Sequence, residues 1–119
     1  MFKQLALAAI LSVAAAPALA AQQDFELVNR TGYTISEVYV SETGEKSWGE
    51  DILGKDTLGN KQSVELTFDR NADACKWDLK VVYELDDETA EWDGFNLCKV
   101  STITIYYNAK TGETSAEYE

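Results

Sequence analysis

Histidine is absent from this 119-residue sequence, which also holds only two cysteines and one methionine. Without imidazole there is no Ser-His-Asp or Cys-His nucleophilic catalysis, and no histidine to ligate a metal. The one methionine is the initiator, so Cys75 and Cys98 have no further soft ligand to help them hold copper or zinc. Positive charge is scarce as well. Lys and Arg number 10 against 21 Asp and Glu, a formal net charge of -11. No basic stripe exists to neutralise phosphates and release counterions, which argues against a nucleic-acid partner. Anionic lipid is disfavoured for the same reason. What is present is 45% hydrophobic and 11% aromatic residues, the composition of a folded globular chain. The length provides one domain with one core and no room for a large enzyme.

The first twenty residues read as an address. Met1, Phe2 and Lys3 make a short cationic start, and the apolar run from Leu5 to Ala16 is broken only by Ser12. Pro17-Ala18-Leu19-Ala20 then supplies the small-residue pattern that signal peptidase needs. This is a secretory signal peptide with cleavage expected after Ala20. The apolar run is shorter than the roughly 20 residues a membrane span requires, so no span is expected after cleavage. No cysteine stands near the cut to carry a lipid, and no twin arginine precedes it. The expectation is Sec-type export to the periplasm or beyond, with one mature domain over residues 21–119. Loss of Lys3 leaves that domain more acidic still.

In an oxidising compartment Cys75 and Cys98 read as a structural disulfide. A redox pair would show C-x-x-C spacing, which these two lack. The loop such a bond closes is worth roughly 3 kcal/mol in chain-entropy terms.

Along the mature chain apolar residues alternate with polar ones, a period of two rather than the ~3.6 of a helix. Phe25, Leu27 and Asn29 share one face, Thr31-Gly32 marks a turn, and Thr34 to Ser41 follows with Val38 and Val40 inward. Gln62 to Asp69 alternates through Val64, Leu66 and Phe68. Lys76 to Glu84 places Trp77, Leu79, Val81 and Tyr83 on one side, with Lys76, Asp78 and Lys80 opposite. The polar turn Leu85-Asp86-Asp87-Glu88 leads to a return strand, Thr89 to Asp93, that carries Trp92. Ile103, Ile105 and Tyr107 point inward from Lys99 to Tyr107, Asn108 to Gly112 is a hairpin loop, and Glu113 to Tyr118 closes the sheet. About seven short strands rich in β-branched and aromatic residues predict an all-β fold, a small antiparallel β-sandwich.

One stretch departs from this rhythm. Glu42 to Lys61 contains Gly44, Gly49, Gly54 and Gly59 together with the apolar Trp48, Ile52, Leu53 and Leu58. A loop of that length folds back either as a lid on the open end of the sandwich or as a binding site. The lid is favoured, because apolar anchors need burial first.

Five motifs stand in order along the mature chain. They are Leu27-Val28-Asn29-Arg30-Thr31-Gly32-Tyr33, Val38-Tyr39-Val40-Ser41, Trp48-Gly49-Glu50-Asp51-Ile52-Leu53-Gly54, Cys75-Lys76-Trp77-Asp78-Leu79-Lys80-Val81-Val82 and Asn96-Leu97-Cys98. Together they resemble a family of small exported bacterial proteins of uncharacterised function. The resemblance covers nearly the whole mature chain. It implies a single β domain with both cysteines near strand starts, and it brings no activity, substrate or catalytic residue with it. Relatives sometimes look to be labelled argininosuccinate lyase. That large helical enzyme uses a serine in a Gly-Ser-Ser loop, no such motif stands here, and the label reads as a mistaken transfer.

Paired acids recur at Glu50-Asp51, at Asp86-Asp87-Glu88, and at Glu91 with Asp93. A hydrolase of glycans would need two carboxyls facing one another across a sugar-sized cleft, one of them with a raised pKa. These acids fall mainly in expected turns and read first as solvated surface. Calcium is the sharper use of the same side chains. An EF-hand counted from Asp69 finds Asn71 and Asp73, but Ala74 stands where glycine belongs and Lys80 where the last glutamate belongs. One aligned on Glu91, Asp93 and Gly94 begins at Thr89 and ends on Val100. Both fail. The weak calcium candidates that remain are Glu50, Asp51, Asp86, Asp87 and Glu88, and no cofactor is expected.

The aromatic residues are numerous for so small a domain: Trp48, Trp77 and Trp92, with Tyr33, Tyr39, Tyr83, Tyr106, Tyr107 and Tyr118. Trp77 belongs to the core by parity, whereas Tyr39 and Tyr106 point outward. With Trp48 of the long loop, those two tyrosines form the expected interaction surface. The reading from sequence is an exported, acidic, noncatalytic β domain that binds a protein or glycan partner. The alternatives are a calcium-binding module and a carboxylate-dependent hydrolase of glycans.

Overall fold

The computed structural model describes residues 21–119; the expected leader and its cleavage site after Ala20 lie outside the described residues. Seven strands follow one another: β1 (Phe25–Arg30), β2 (Ile35–Glu42), β3 (Ser63–Leu66), β4 (Lys76–Tyr83), β5 (Thr89–Asn96), β6 (Thr102–Asn108) and β7 (Glu113–Tyr118). They form a four-stranded sheet, β3-β1-β6-β7, and a three-stranded sheet, β2-β4-β5. The expected all-β sandwich is the fold. No helix among the described residues is long and apolar enough to cross a membrane.

The period-two alternation becomes one shared core. Phe25, Leu27, Leu66, Ile103 and Ile105 of the larger sheet join Ile35, Val38, Leu79, Val81 and Ala90 of the smaller one in a single buried cluster. Each large apolar side chain so buried contributes about 1.5–3 kcal/mol relative to its exposed state. Every strand pair is antiparallel except β1 with β6, which runs parallel with Leu27 opposite Ile103 and Asn29 opposite Ile105. Parallel neighbours cannot be joined by a tight turn. These two meet because the chain crosses to the smaller sheet and comes back.

Cys75 and Cys98 are bonded, with 5.2 Å between their Cα atoms. The bond lies just past the Lys76–Asn96 pair, at the open end of the β4–β5 hairpin. There Leu97 N also donates to Cys75 O at 2.8 Å.

The long loop covers an edge. Leu53 and Leu58 enter the core, while Ile52 stays 41% exposed, so not every apolar anchor is used. Ile52 N donates to Val38 O at 2.8 Å, and Leu58 and Ile35 exchange two backbone bonds of 2.9 Å each. The Asp51 carboxylate accepts from Val38 N at 2.9 Å and from Leu53 N at 3.0 Å. The free side of β2 is thereby covered at Ile35 and Val38, which guards that part of the edge strand from pairing with another chain.

A buried amide holds the same region. Asn29, inward by parity, has no exposure at all. Its Nδ2 donates to Tyr33 O at 2.8 Å and to Leu58 O at 3.0 Å. Its Oδ1 accepts from Thr31 N at 2.9 Å and from the Thr31 hydroxyl at 2.7 Å. The turn after β1 and the returning loop are thus tied to one side chain.

Two expectations need correction. Trp77 is half-buried rather than sealed in the core, although its ring packs edge-on to Phe68 at 4.9 Å and its Nε1 donates to Ala74 O at 2.9 Å. Its inward parity is kept, since the register shift beside it places the extra residue in β5 and not in β4; the ring is half-buried because it stands at the open end of the strand. Tyr39 is half-buried rather than free, for reasons set by its neighbours.

Candidate functional site

The outer face of the β2-β4-β5 sheet is organised around one lysine. Val38 points into the core, so Tyr39 beside it points away. The register sets Tyr39 opposite Lys80, and Lys80 opposite Glu91 on the next strand. The Lys80 ammonium lies 5.3 Å from the centre of the Tyr39 ring and 5.8 Å from that of Trp48. Both separations are within reach of a cation–π attraction. Trp48 arrives from the long loop, whose position is held where the Ser41 hydroxyl donates to Ser47 O at 2.9 Å. Opposite Ser41, the Asp78 carboxylate accepts from the Thr43 hydroxyl at 2.7 Å and from Gly94 N at 2.8 Å.

Tyr39 is anchored a second time, because its hydroxyl donates to the Glu37 carboxylate. That bond pushes the phenol up to about 12, with partial desolvation and the charges of Glu37 and Asp51 adding to it. The result is a cluster of two rings about one ammonium, bordered by carboxylates.

Two of the three expected interaction residues, Tyr39 and Trp48, therefore meet around Lys80. Tyr106 does not join them. It sits on β6 in the other sheet, opposite Ser115, and its hydroxyl donates to Glu117 at 3.1 Å, which raises the phenol's pKa. Lys80 was placed on the outward face by alternation alone, with no sign that two rings would enclose it. Only the cross-strand register and the path of the loop supply that.

The carboxylates scatter. Asp51 is engaged with backbone amides, while Asp86, Asp87 and Glu88 stand at the β4–β5 turn. Among the described residues no three Cys, Asp or Glu side chains gather into a group that could hold a metal ion. The weak calcium candidates are thus not brought together.

Concavities lie elsewhere, one of about 290 Å³ beside Thr102, Thr104 and Glu117 and two others of more interest. An open depression of about 840 Å³ runs between the long loop and β3, lined by residues such as Ile52, Asp56, Lys61 and Val64 and by no aromatic ring. A smaller pocket of about 230 Å³ is lined by Tyr33, Tyr83 and Tyr107 together with Leu85, Asp86 and Glu88. Its three rings pack at centroid distances of 6.1, 5.7 and 6.2 Å. Burial pushes the Tyr83 phenol up, and the neighbouring Thr31 hydroxyl opposes this more weakly. Sequence reasoning missed this cluster, because its members are about fifty and twenty-five residues apart and no local pattern joins them.

No family model matches the chain, and neither a curated protein nor a solved structure matches it. The resemblance to small exported bacterial proteins accordingly rests on the five motifs.

Proposed function

We propose that this is an exported, noncatalytic binding module whose contact surface is the outer face of the β2-β4-β5 sheet. The observation that carries the reading is the Lys80 ammonium over both the Tyr39 and the Trp48 ring. Tyrosine and tryptophan are enriched where binding energy concentrates, and side chains already ordered before contact lose less entropy on association. The partner is a protein or a glycan that lays an apolar or hydrogen-bonding face across the two rings. The net charge of -11 would steer a basic partner towards the domain. Export to the periplasm or beyond agrees with the leader pattern and with a disulfide, which persists in oxidising compartments.

The test uses the mature domain as bait in periplasmic extract and on a glycan array, alongside Tyr39→Ala with Trp48→Ala and, separately, Tyr106→Ala. A ligand retained by the wild type and by Tyr106→Ala, but lost with the double variant, supports the reading. A ligand held equally by all three forms, with unchanged melting curves, refutes it.

A further inference from the structure

We propose that the pocket between the Tyr33, Tyr83 and Tyr107 rings and the β4–β5 turn binds an alkylammonium group. Its walls come from three separate parts of the chain and each is fixed. Tyr33 O is held by the Asn29 amide at 2.8 Å. Tyr83 ends β4, and its N donates to Glu88 O at 2.8 Å across the turn. Tyr107 pairs with Thr114 on the neighbouring strand. Glu84 N donates to Thr34 O at 2.9 Å, which clamps the β4–β5 turn to the turn that carries Tyr33. The concavity, of about 230 Å³ with three aromatic rings in its walls, is smaller than the usual drug-sized ligand site and suits a short ligand.

The chemistry of the lining selects the ligand. Asp86 and Glu88 place two carboxylates at the pocket, which repels anions and draws cations. Aromatic rings attract an ammonium through their quadrupole. Leu85, 64% exposed, offers an apolar lip for an alkyl stem.

Tyr83 is only 7% exposed, and its Oη is sealed from solvent beside the Thr31 hydroxyl, so this residue offers the pocket its ring and not its oxygen. A hard metal ion fits less well, since calcium takes about 6–8 oxygens and no group of three carboxylates forms here.

An alkylammonium group can come from a free amine or from a lysine side chain. The experiment follows the tyrosine ring signals of the full mature protein by NMR. The probes are n-butylammonium, N-acetyl-lysine amide and, as the uncharged control, n-butanol. Both amines, or n-butylammonium alone, should shift the Tyr33 and Tyr107 signals saturably, and n-butanol should not. Equal binding of the lysine amide assigns the site to peptide side chains, and preference for n-butylammonium assigns it to small amines.

Asp86 has a φ of 64°, a conformation that asparagine tolerates, so Asp86→Asn keeps the turn. Combined with Glu88→Gln, it should weaken n-butylammonium by about tenfold or more, and salt near 1 M should do likewise by screening. Tyr83→Phe keeps the ring and removes only an oxygen sealed from solvent, so it should leave the amine's affinity unchanged. Binding of n-butanol as tight as that of the amine, full affinity in the Asp86→Asn, Glu88→Gln variant, or no saturable shift overturns the proposal. The surface around Lys80 is untouched by these changes, so either proposal can fail without the other.

Discussion

Replacing Asn29 by alanine empties a polar site that has no access to water. Four hydrogen bonds are lost, two donated to Tyr33 O and Leu58 O and two accepted from Thr31. The former partners are not equally stranded. Leu58 O still accepts from Ile35 N at 2.9 Å, and Tyr33 O lies 3.2 Å from the Thr31 hydroxyl. Thr31 N is left with nothing. Four bonds at a net of about 0.5–1.5 kcal/mol each, with one orphaned donor at about 1–3, give a loss of roughly 3–9 kcal/mol. For a domain whose total is about 5–15 kcal/mol, that is a large fraction. Thermal unfolding should show the midpoint fall by more than about 12 °C, and urea unfolding should show a lower midpoint at unchanged slope.

The isosteric Asn29→Asp sharpens the test. It retains the acceptor that Thr31 uses but turns a carboxylate oxygen towards two carbonyl oxygens. Burial and that opposition raise the carboxyl's folded pKa above the roughly 3.9 of an unfolded aspartate. The folded state then holds its proton more tightly than the unfolded state does. The variant's deficit is therefore smallest below about pH 4 and grows as pH rises through the folded pKa. A loss under about 1 kcal/mol in Asn29→Ala, or an Asn29→Asp deficit that ignores pH, would refute the account of this amide as the tie between turn and loop.

Two further outcomes follow from the structure. Reduction of Cys75–Cys98, which are 23 residues apart, should lower stability by roughly 3 kcal/mol and raise the intact mass by two hydrogen atoms; free thiols in protein from an oxidising compartment would contradict it. Absorbance titration should find one phenol, that of Tyr39, ionising near 12, and Glu37→Gln should return it towards its ordinary 10. Because the folded pKa is the higher one, the stabilisation from this contact is complete below about pH 10 and is lost as pH climbs towards 12. An unchanged titration in Glu37→Gln would rule out the bond between the two side chains.

Much of the fold was legible in the sequence because side-chain alternation is a local property. The inward set Phe25, Leu27, Ile103 and Ile105, seven strands, and a long loop anchored by Leu53 and Leu58 all follow from composition and period. So does the pairing of the only two cysteines once an oxidising compartment is assumed. Parity even placed Asn29 inside, but without a reason for a polar residue there, since one of its partners, Leu58, lies 29 residues away.

What only the tertiary structure decided is the register between strands and the path of the chain between sheets. The parallel meeting of β1 with β6 depends on a long excursion that no short window of sequence contains. Trp77 keeps the inward parity that alternation gives it, yet its place at the open end of β4 leaves the ring half-buried. Tyr39, Lys80 and Trp48 come together through a cross-strand pair and a folded-back loop, and Tyr33, Tyr83 and Tyr107 through three turns and strand ends. Alternation tells each residue which way to face. Which residues then face each other is settled by packing the two sheets into one core, where contacts between distant segments outweigh any local preference.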